Sequence, residues 1–452
     1  MSNVVKTLKD SKIACWIALA CLVVPMFGSY YFDDMFSTVS QIFQEPGNLE
    51  LGWDSANFGL YAGGYSFLCV FGGLIICGIL LDKYGVRIVG SIFVGLMLLG
   101  SAIVTVAIST KMAPATSLSI AYIGCMIFGL GSEIAGVAVT RSIAKWFKGK
   151  SMAFAMGLQL SIARLGTGLA MLIAPYLVVA NAEGYYPLSA TNRPALVGLS
   201  LIFIGTILWA IFIAMDAKYD RQLGVVSQRG EQKEEDKFKF SDIIAVIKNP
   251  RFIMIALLCV FFYCCVISFK KFGTTIMIPR FGMDAEAAAT MVASIAFFPV
   301  IFTPLFGALV DKVGKATSWM ILGSVIVFLA HIIIGFAPAS DAWGYLSICF
   351  LGIGYSLVPS AMWPSVPKII PEKNLGTAYS MIYFIQNLGM LTVPIFAGRI
   401  LGNEQLDKVV RSVHAEYIFI GLGVVAISVS LLLKFSAKKN PQLALDEPNL
   451  KK

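Results

Sequence analysis

The chain has 452 residues, of which 58% are hydrophobic and only 13% charged, with a formal net charge of +9 and a mean hydropathy of +0.79. So little charge over this length excludes the soluble globular classes. Apolar runs of about 20 residues, each able to cross a bilayer as a helix, recur twelve times. They are expected at 13–40, 55–81, 88–109, 117–143, 152–179, 195–216, 251–279, 286–310, 316–336, 343–369, 376–400 and 414–435.

The first run is not a cleavable signal peptide. It is too long, and it continues into aromatic and acidic residues without a small-residue cleavage site. It ends on Tyr30-Tyr31-Phe32-Asp33-Asp34. The two acids either line a cavity or cap the outer end of the helix, and Tyr30 and Tyr31 are candidate substrate-binding residues.

The second run closes on Gly78-Ile79-Leu80-Leu81-Asp82-Lys83-Tyr84-Gly85-Val86-Arg87, which recurs as Gly307-Ala308-Leu309-Val310-Asp311-Lys312-Val313-Gly314-Lys315. The copies lie about 230 residues apart, half the chain, so two related bundles are expected, as in many secondary transporters. The glycine permits a tight turn. An acid at a helix C-terminus is mildly unfavourable with the macrodipole, so Asp82 and Asp311 should find a cation or cap a neighbour. These loops resemble the signature loop of the major facilitator superfamily. The resemblance implies that Asp82, Arg87, Asp311 and Lys315 latch the two bundles on the cytosolic side.

Spans four and five carry Glu133 and Arg164, joined by Lys145-Trp146-Phe147-Lys148-Gly149-Lys150. An ionisable residue inside a span costs a few kcal/mol and marks function by default. Both residues stand the same number of positions from the midpoint of the turn, so both lie about 20 Å from it, near mid-bilayer. Two readings follow from that geometry. Glu133 and Arg164 neutralise each other as a structural pair, or they hold the ammonium and carboxylate of a zwitterion. The two can also alternate.

Residues 1–216 are expected to form one six-helix bundle and 251–436 the other. A cytosolic linker with a mixed-charge run occupies 217–250, and a disordered or interfacial cytosolic tail occupies 437–452. The fold class expected is thus an all-α membrane protein of twelve transmembrane helices in two pseudo-symmetric bundles. In the second half, Lys270 and Lys271 lie deep in span seven, Trp363 sits at a break beside Pro364, and Gln386-Asn387 are polar groups within span eleven. Lys270, Trp363, Gln386 and Asn387 join the candidate substrate-binding residues.

With the N-terminus inside, the inner loops and tails hold about 25 of the 35 Lys and Arg, and the outer loops about 6. This positive-inside asymmetry places both termini in the cytosol and assigns the basic excess to lipid head groups rather than nucleic acid. Nine cysteines in or beside spans and two histidines form no cluster, so no metal, cofactor or disulfide framework is expected. No nucleophile–base constellation or phosphate loop points to an enzyme.

Four segments resemble the lysosomal dipeptide transporter branch of the same superfamily and its bacterial relatives. They are Phe27–Asp33, Gly131–Lys150, Gly157–Gly166, and Trp363–Pro367 running on through Leu375–Tyr379 to Ile385–Gly389. The resemblance implies passive transport of dipeptides by alternating access, with Glu133 on the amino end and Arg164 on the carboxyl end. Met1–Lys12 shows no acidic dileucine signal and the outer loops are short. The glycosylated partner of the lysosomal branch is therefore not implied, and a monomer in a bacterial cytoplasmic membrane is expected. The alternatives are a proton- or anion-coupled carrier of a small carboxylate, with Arg164 and Lys270 as the clamp, and a non-transporting membrane sensor.

Overall fold

The computed structural model describes residues 7–147, 152–222, 246–371 and 375–448. Twelve helices among them are long and apolar enough to span a membrane. They are α1 (Lys12–Asp34), α2 (Ser55–Cys77), α3 (Lys83–Ser109), α4 (Pro114–Phe147), α5 (Ala155–Leu177) and α6 (Leu188–Gln222), then α7 (Pro250–Phe281), α8 (Ala285–Val313), α9 (Ala316–Phe336), α10 (Asp341–Ile369), α11 (Ala378–Leu401) and α12 (Lys408–Lys439). The all-helical, twelve-span class read from the sequence is the one observed. Most of the expected linker lies outside the described residues; α6 runs into it as far as Gln222.

Helix suits these segments because hydrocarbon offers no partner for a free N–H or C=O. Their starts are fixed by polar caps at the surface. Ser11 accepts from the Ala14 N–H, Asp54 from Asn57 and Asp284 from Ala287. The first helix stops at Asp34 rather than continuing to 40, because the Asp34 carboxylate takes the Ser37 hydroxyl at 3.1 Å and the chain turns. Helices α4, α6 and α12, at 34, 35 and 32 residues, are about 50 Å long and project beyond the ~30 Å hydrocarbon layer.

The first six helices pack among themselves, as do the last six. Between the halves the main seams are α2 against α11 and α5 against α8. Along the first seam a Cβ on Gly59 would stand 2.4 Å from the Pro394 carbonyl oxygen and 3.0 Å from the Gly398 Cα, so only glycine admits this approach. Within the first half, a Cβ on Gly129 would lie 1.9 Å from the Tyr65 carbonyl oxygen. The missing side chain lets α4 press on α2 one turn from Glu133. Midway along α2 the helix kinks where Phe71 (ψ 41°) and Gly72 (φ 93°) leave helical geometry.

The repeated loops turn through Gly85 and Gly314, at φ 77° and 70°, the tight turn expected of them. The side chain of Asp82 lies outside the described residues. Arg87 reaches into its own half: its Nε donates to Asp216 at 2.8 Å, and Nη2 to Asp220. Lys145 joins the same two acids and the Trp146 indole donates to Asp216 at 2.9 Å, tying α3, α4 and α6 together. In this conformation the charge of Arg87 is matched within its own bundle. The second copy is covered by the C-terminal tail. The Lys315 N–H donates to the Asp446 carbonyl at 2.7 Å, and the Asp446 carboxylate accepts from the Thr317 N–H and hydroxyl at 2.8 and 2.9 Å. Lys368 donates to the Ala444 and Glu447 carbonyls, and Leu445 is buried. The described tail is therefore docked, not disordered: Asp446 fills the orphan donors at the start of α9.

Candidate substrate site and the distal closure

Helix α4 carries Glu133 inward, and α2 supplies its partner: the Tyr65 hydroxyl lies 3.2 Å from Glu133 Oε1 and 3.1 Å from Ser132 Oγ. Ser132 in turn meets Ser29 of α1 at 2.5 Å, so three helices fix the carboxylate. On α5, Arg164 crosses to the other half. Its Nη1 donates to the Tyr355 hydroxyl, and its guanidinium carbon stands 5.1 Å from the Tyr355 ring and 6.0 Å from that of Tyr30. Guanidinium–ring contacts of this kind are attractive and hold the plane of the group.

Among the described residues no ion pair joins Glu133 to Arg164. The carboxylate takes a phenol of its own half, and the guanidinium takes one from the opposite half. The Tyr30 ring stands 6.0 Å from the Arg164 guanidinium carbon. An acid and an arginine thus stand apart in the space between the bundles, each half-buried and each with hydrogen-bonding capacity left over.

Other candidates fall into place around this pair. Trp363 sits where α10 gives way to a 3₁₀ turn, Trp363–Ser365, and its indole N–H donates to the Tyr263 hydroxyl at 3.1 Å. Gln386 accepts from the Cys259 thiol at 3.5 Å, linking α11 to α7. Two further candidates are buried. Tyr31 is 1% exposed and points to α6, where its ring would be met by any Cβ on Gly198. Asn387 is buried and donates to the Tyr383 carbonyl of its own helix at 3.0 Å. No contact described here joins either of them to Glu133 or Arg164, and which way a side chain faces is something an apolar span does not reveal. Sequence reasoning missed Tyr65, Tyr263, Tyr355 and Tyr383, because tyrosines in a hydrophobic span read as packing.

Lys270 is paired within the protein in this conformation. Its ammonium meets Asp34 at 2.6 Å, with side-chain exposures of 6% and 3%. Lys271 meets Asp33 at 2.9 Å and Asp34 at 3.4 Å, and Asp34 also accepts from Thr167 at 2.9 Å. Two acids of α1 and two lysines of α7 therefore close on each other across the halves. An acidic pair and a basic pair, each in the span that opens its half, was the signal available in the sequence. A cavity of about 10 Å³, room for one water, borders Asp33 and Lys271 beside Phe58 and Tyr61. Beyond the quartet, Ser40 meets Thr274 and Thr275, Tyr176 donates to Glu286, and Glu45 pairs with Lys408. The Lys408 ammonium holds the Glu45 carboxyl below its ordinary range. The contacts named here between the halves lie at mid-depth, as Arg164–Tyr355, or toward this distal face, away from the termini.

Two six-helix halves, closed on one face around charged and aromatic groups at mid-depth, define a membrane transporter of the secondary class, not an enzyme. The sequence pattern of the Major Facilitator Superfamily matches residues 22–394 and, again, 272–449, and the chain belongs to that superfamily. It is similar to the lysosomal dipeptide transporter MFSD1 of Danio rerio, with 30% identity over 83% of this chain and 78% of the relative. The same transporter of Mus musculus is 26% identical over 96% of this chain and 91% of its own length. Among solved structures, a D-xylose-proton symporter superposes with a TM-score of 0.70 at 15% identity, covering 94% of this chain and 97% of that one. Tetrameric PepTSo2 gives 0.67 at 16% identity, covering 95% and 99%. These distant likenesses show the fold alone.

Proposed function

We propose that the chain carries dipeptides by alternating access, as a uniporter, with Glu133 receiving the peptide ammonium and Arg164 its carboxylate. The observation that carries this reading is the separation of the two charges. Each is held open by a phenol rather than quenched by the other. A dipeptide brings one charge of each sign at its two ends and can bind both groups. The names of the relatives agree with it. The carboxylate-carrier alternative loses its second cation, because Lys270 is already paired with Asp34.

The state described is closed on the distal face. With the termini in the cytosol, as the basic residues favour, that face is the outer one. The bacterial membrane expected from the sequence gains no support from the relatives, whose printed names are lysosomal.

Thermal stabilisation by a panel of dipeptides, single amino acids and small carboxylates tests the proposal, since a ligand of the folded state raises its apparent stability. Stabilisation by dipeptides, lost when either end is blocked, is expected. Stabilisation by carboxylates that lack an amine would return Glu133 to a structural or proton-coupling role.

A further inference from the structure

The two halves meet the central space with different chemistry. Both charges come from the first half, Glu133 on α4 and Arg164 on α5. The second half presents rings. The Tyr383 ring centroid lies 5.4 Å from that of Trp363, and Tyr379, one turn away on the same face of α11, lies 5.8 Å from it. The Trp363 indole is held by the Tyr263 hydroxyl, and the Tyr263 ring stands 6.0 Å from Tyr355, which receives Arg164. An unbroken row of aromatic rings therefore runs along the second half to the guanidinium. Its other end faces the acid: Tyr383 is 40% exposed, yet within electrostatic range of Glu133 and Tyr30.

We infer that Tyr383, Trp363 and Tyr379 form a side-chain shelf that selects dipeptides with an aromatic N-terminal residue. The inference rests on the dipeptide reading of Glu133 and Arg164. If Glu133 holds the ammonium, the first side chain leaves the carbon bonded to that nitrogen, and the surface it meets is Tyr383 with Trp363 behind it. Flat rings tilted 32° and 42° to one another offer π faces and edges but, with the indole N–H already engaged, little polar demand. An aromatic side chain fits such a surface by offset or edge-to-face contact. The first half would read the termini common to every dipeptide, and the second half would read the side chain.

The test compares Phe-Ala with Ala-Ala on the purified full chain, by binding affinity. Wild-type protein is expected to favour Phe-Ala by roughly two- to tenfold, the range aromatic pairs contribute. Tyr383→Leu should bring the ratio to about one, with the larger loss of affinity falling on Phe-Ala. Trp363→Leu should do the same, and Tyr383→Phe should keep the preference. Equal affinities in wild type, or an unchanged ratio in Tyr383→Leu, overturn the shelf and leave the dipeptide reading standing. Binding of neither peptide overturns both.

Discussion

Lys270 of α7 and Asp34 of α1 join the two halves through a 2.6 Å ion pair that is almost wholly removed from solvent. A buried pair gains little net stability over an apolar one, but removing one partner leaves an uncompensated charge, at about 3–5 kcal/mol. The cost falls on the state in which the pair is made. Asp34→Asn and Lys270→Met should each shift the protein toward a conformation open on the distal face. Cys125, buried beside the small cavity at Asp33, reports this directly. Its alkylation by an impermeant thiol reagent from that face should rise in either variant and fall back in the charge-swapped double variant. Wild-type labelling in both single variants would remove the quartet from the closure.

Arg164→Ala should weaken dipeptide binding by ten- to hundredfold, since hydrogen bonds to a charged group contribute about 1.5–3 kcal/mol. Folding is checked alongside by the thermal unfolding of the ligand-free variant, because the Tyr355 hydroxyl it releases belongs to a buried residue. Glu133→Gln should bind N-acetylated peptides as wild type does and lose its advantage for free amines. Calorimetric titration of both peptide forms against each variant checks the assignment.

Gly59→Val should obstruct the α2–α11 seam, where a Cβ already stands 2.4 Å from the Pro394 carbonyl oxygen. Overpacking of this kind costs about 1–3 kcal/mol, again only in the distally closed state. Transport in vesicles should slow, and Cys125 labelling should rise as in the charge variants. A wild-type transport rate would show that the seam is not needed for the cycle.

Asp446→Ala removes the acceptor of two donors at the start of α9. A lost N-terminal cap costs about 1 kcal/mol, so hydrogen exchange at Thr317 and its neighbours should quicken roughly fivefold, with dipeptide affinity unaltered. Unchanged exchange would mean that the tail does not rest on α9 in solution.

The twelve spans were legible because hydrocarbon demands uninterrupted apolar length, and the two-half organisation because Asp-Lys-x-Gly occurs twice. Glu133 and Arg164 stood out for a related reason: charge inside a span is too costly to be incidental. Depth could be counted along the helices, but direction around them could not. A strongly amphipathic helix declares its buried face; α1 and α11 are apolar all round, so nothing distinguished Tyr30 from Tyr31, or the inward face of α11 from the face that buries Asn387. The pairing of Asp34 with Lys270 was hidden differently. Charges 236 residues apart are matched by tertiary geometry, and the sequence supplied only their complementary signs. The tail was expected to be disordered or interfacial from its composition alone; that one acid, Asp446, meets the start of α9 is a tertiary contact the sequence does not display.

On α1, Tyr30 beside Arg164 is followed within one helical turn by Asp33 and Asp34, which hold the distal face shut. About 5 Å of a single helix separates the ring beside the proposed carboxylate clamp from the ion pairs between the halves. Displacing Tyr30 must therefore strain the seal, and breaking the seal must reposition Tyr30. The two events are linked, and linkage is reciprocal: whatever factor the closed distal face lends to cargo affinity, the cargo returns to the closing equilibrium.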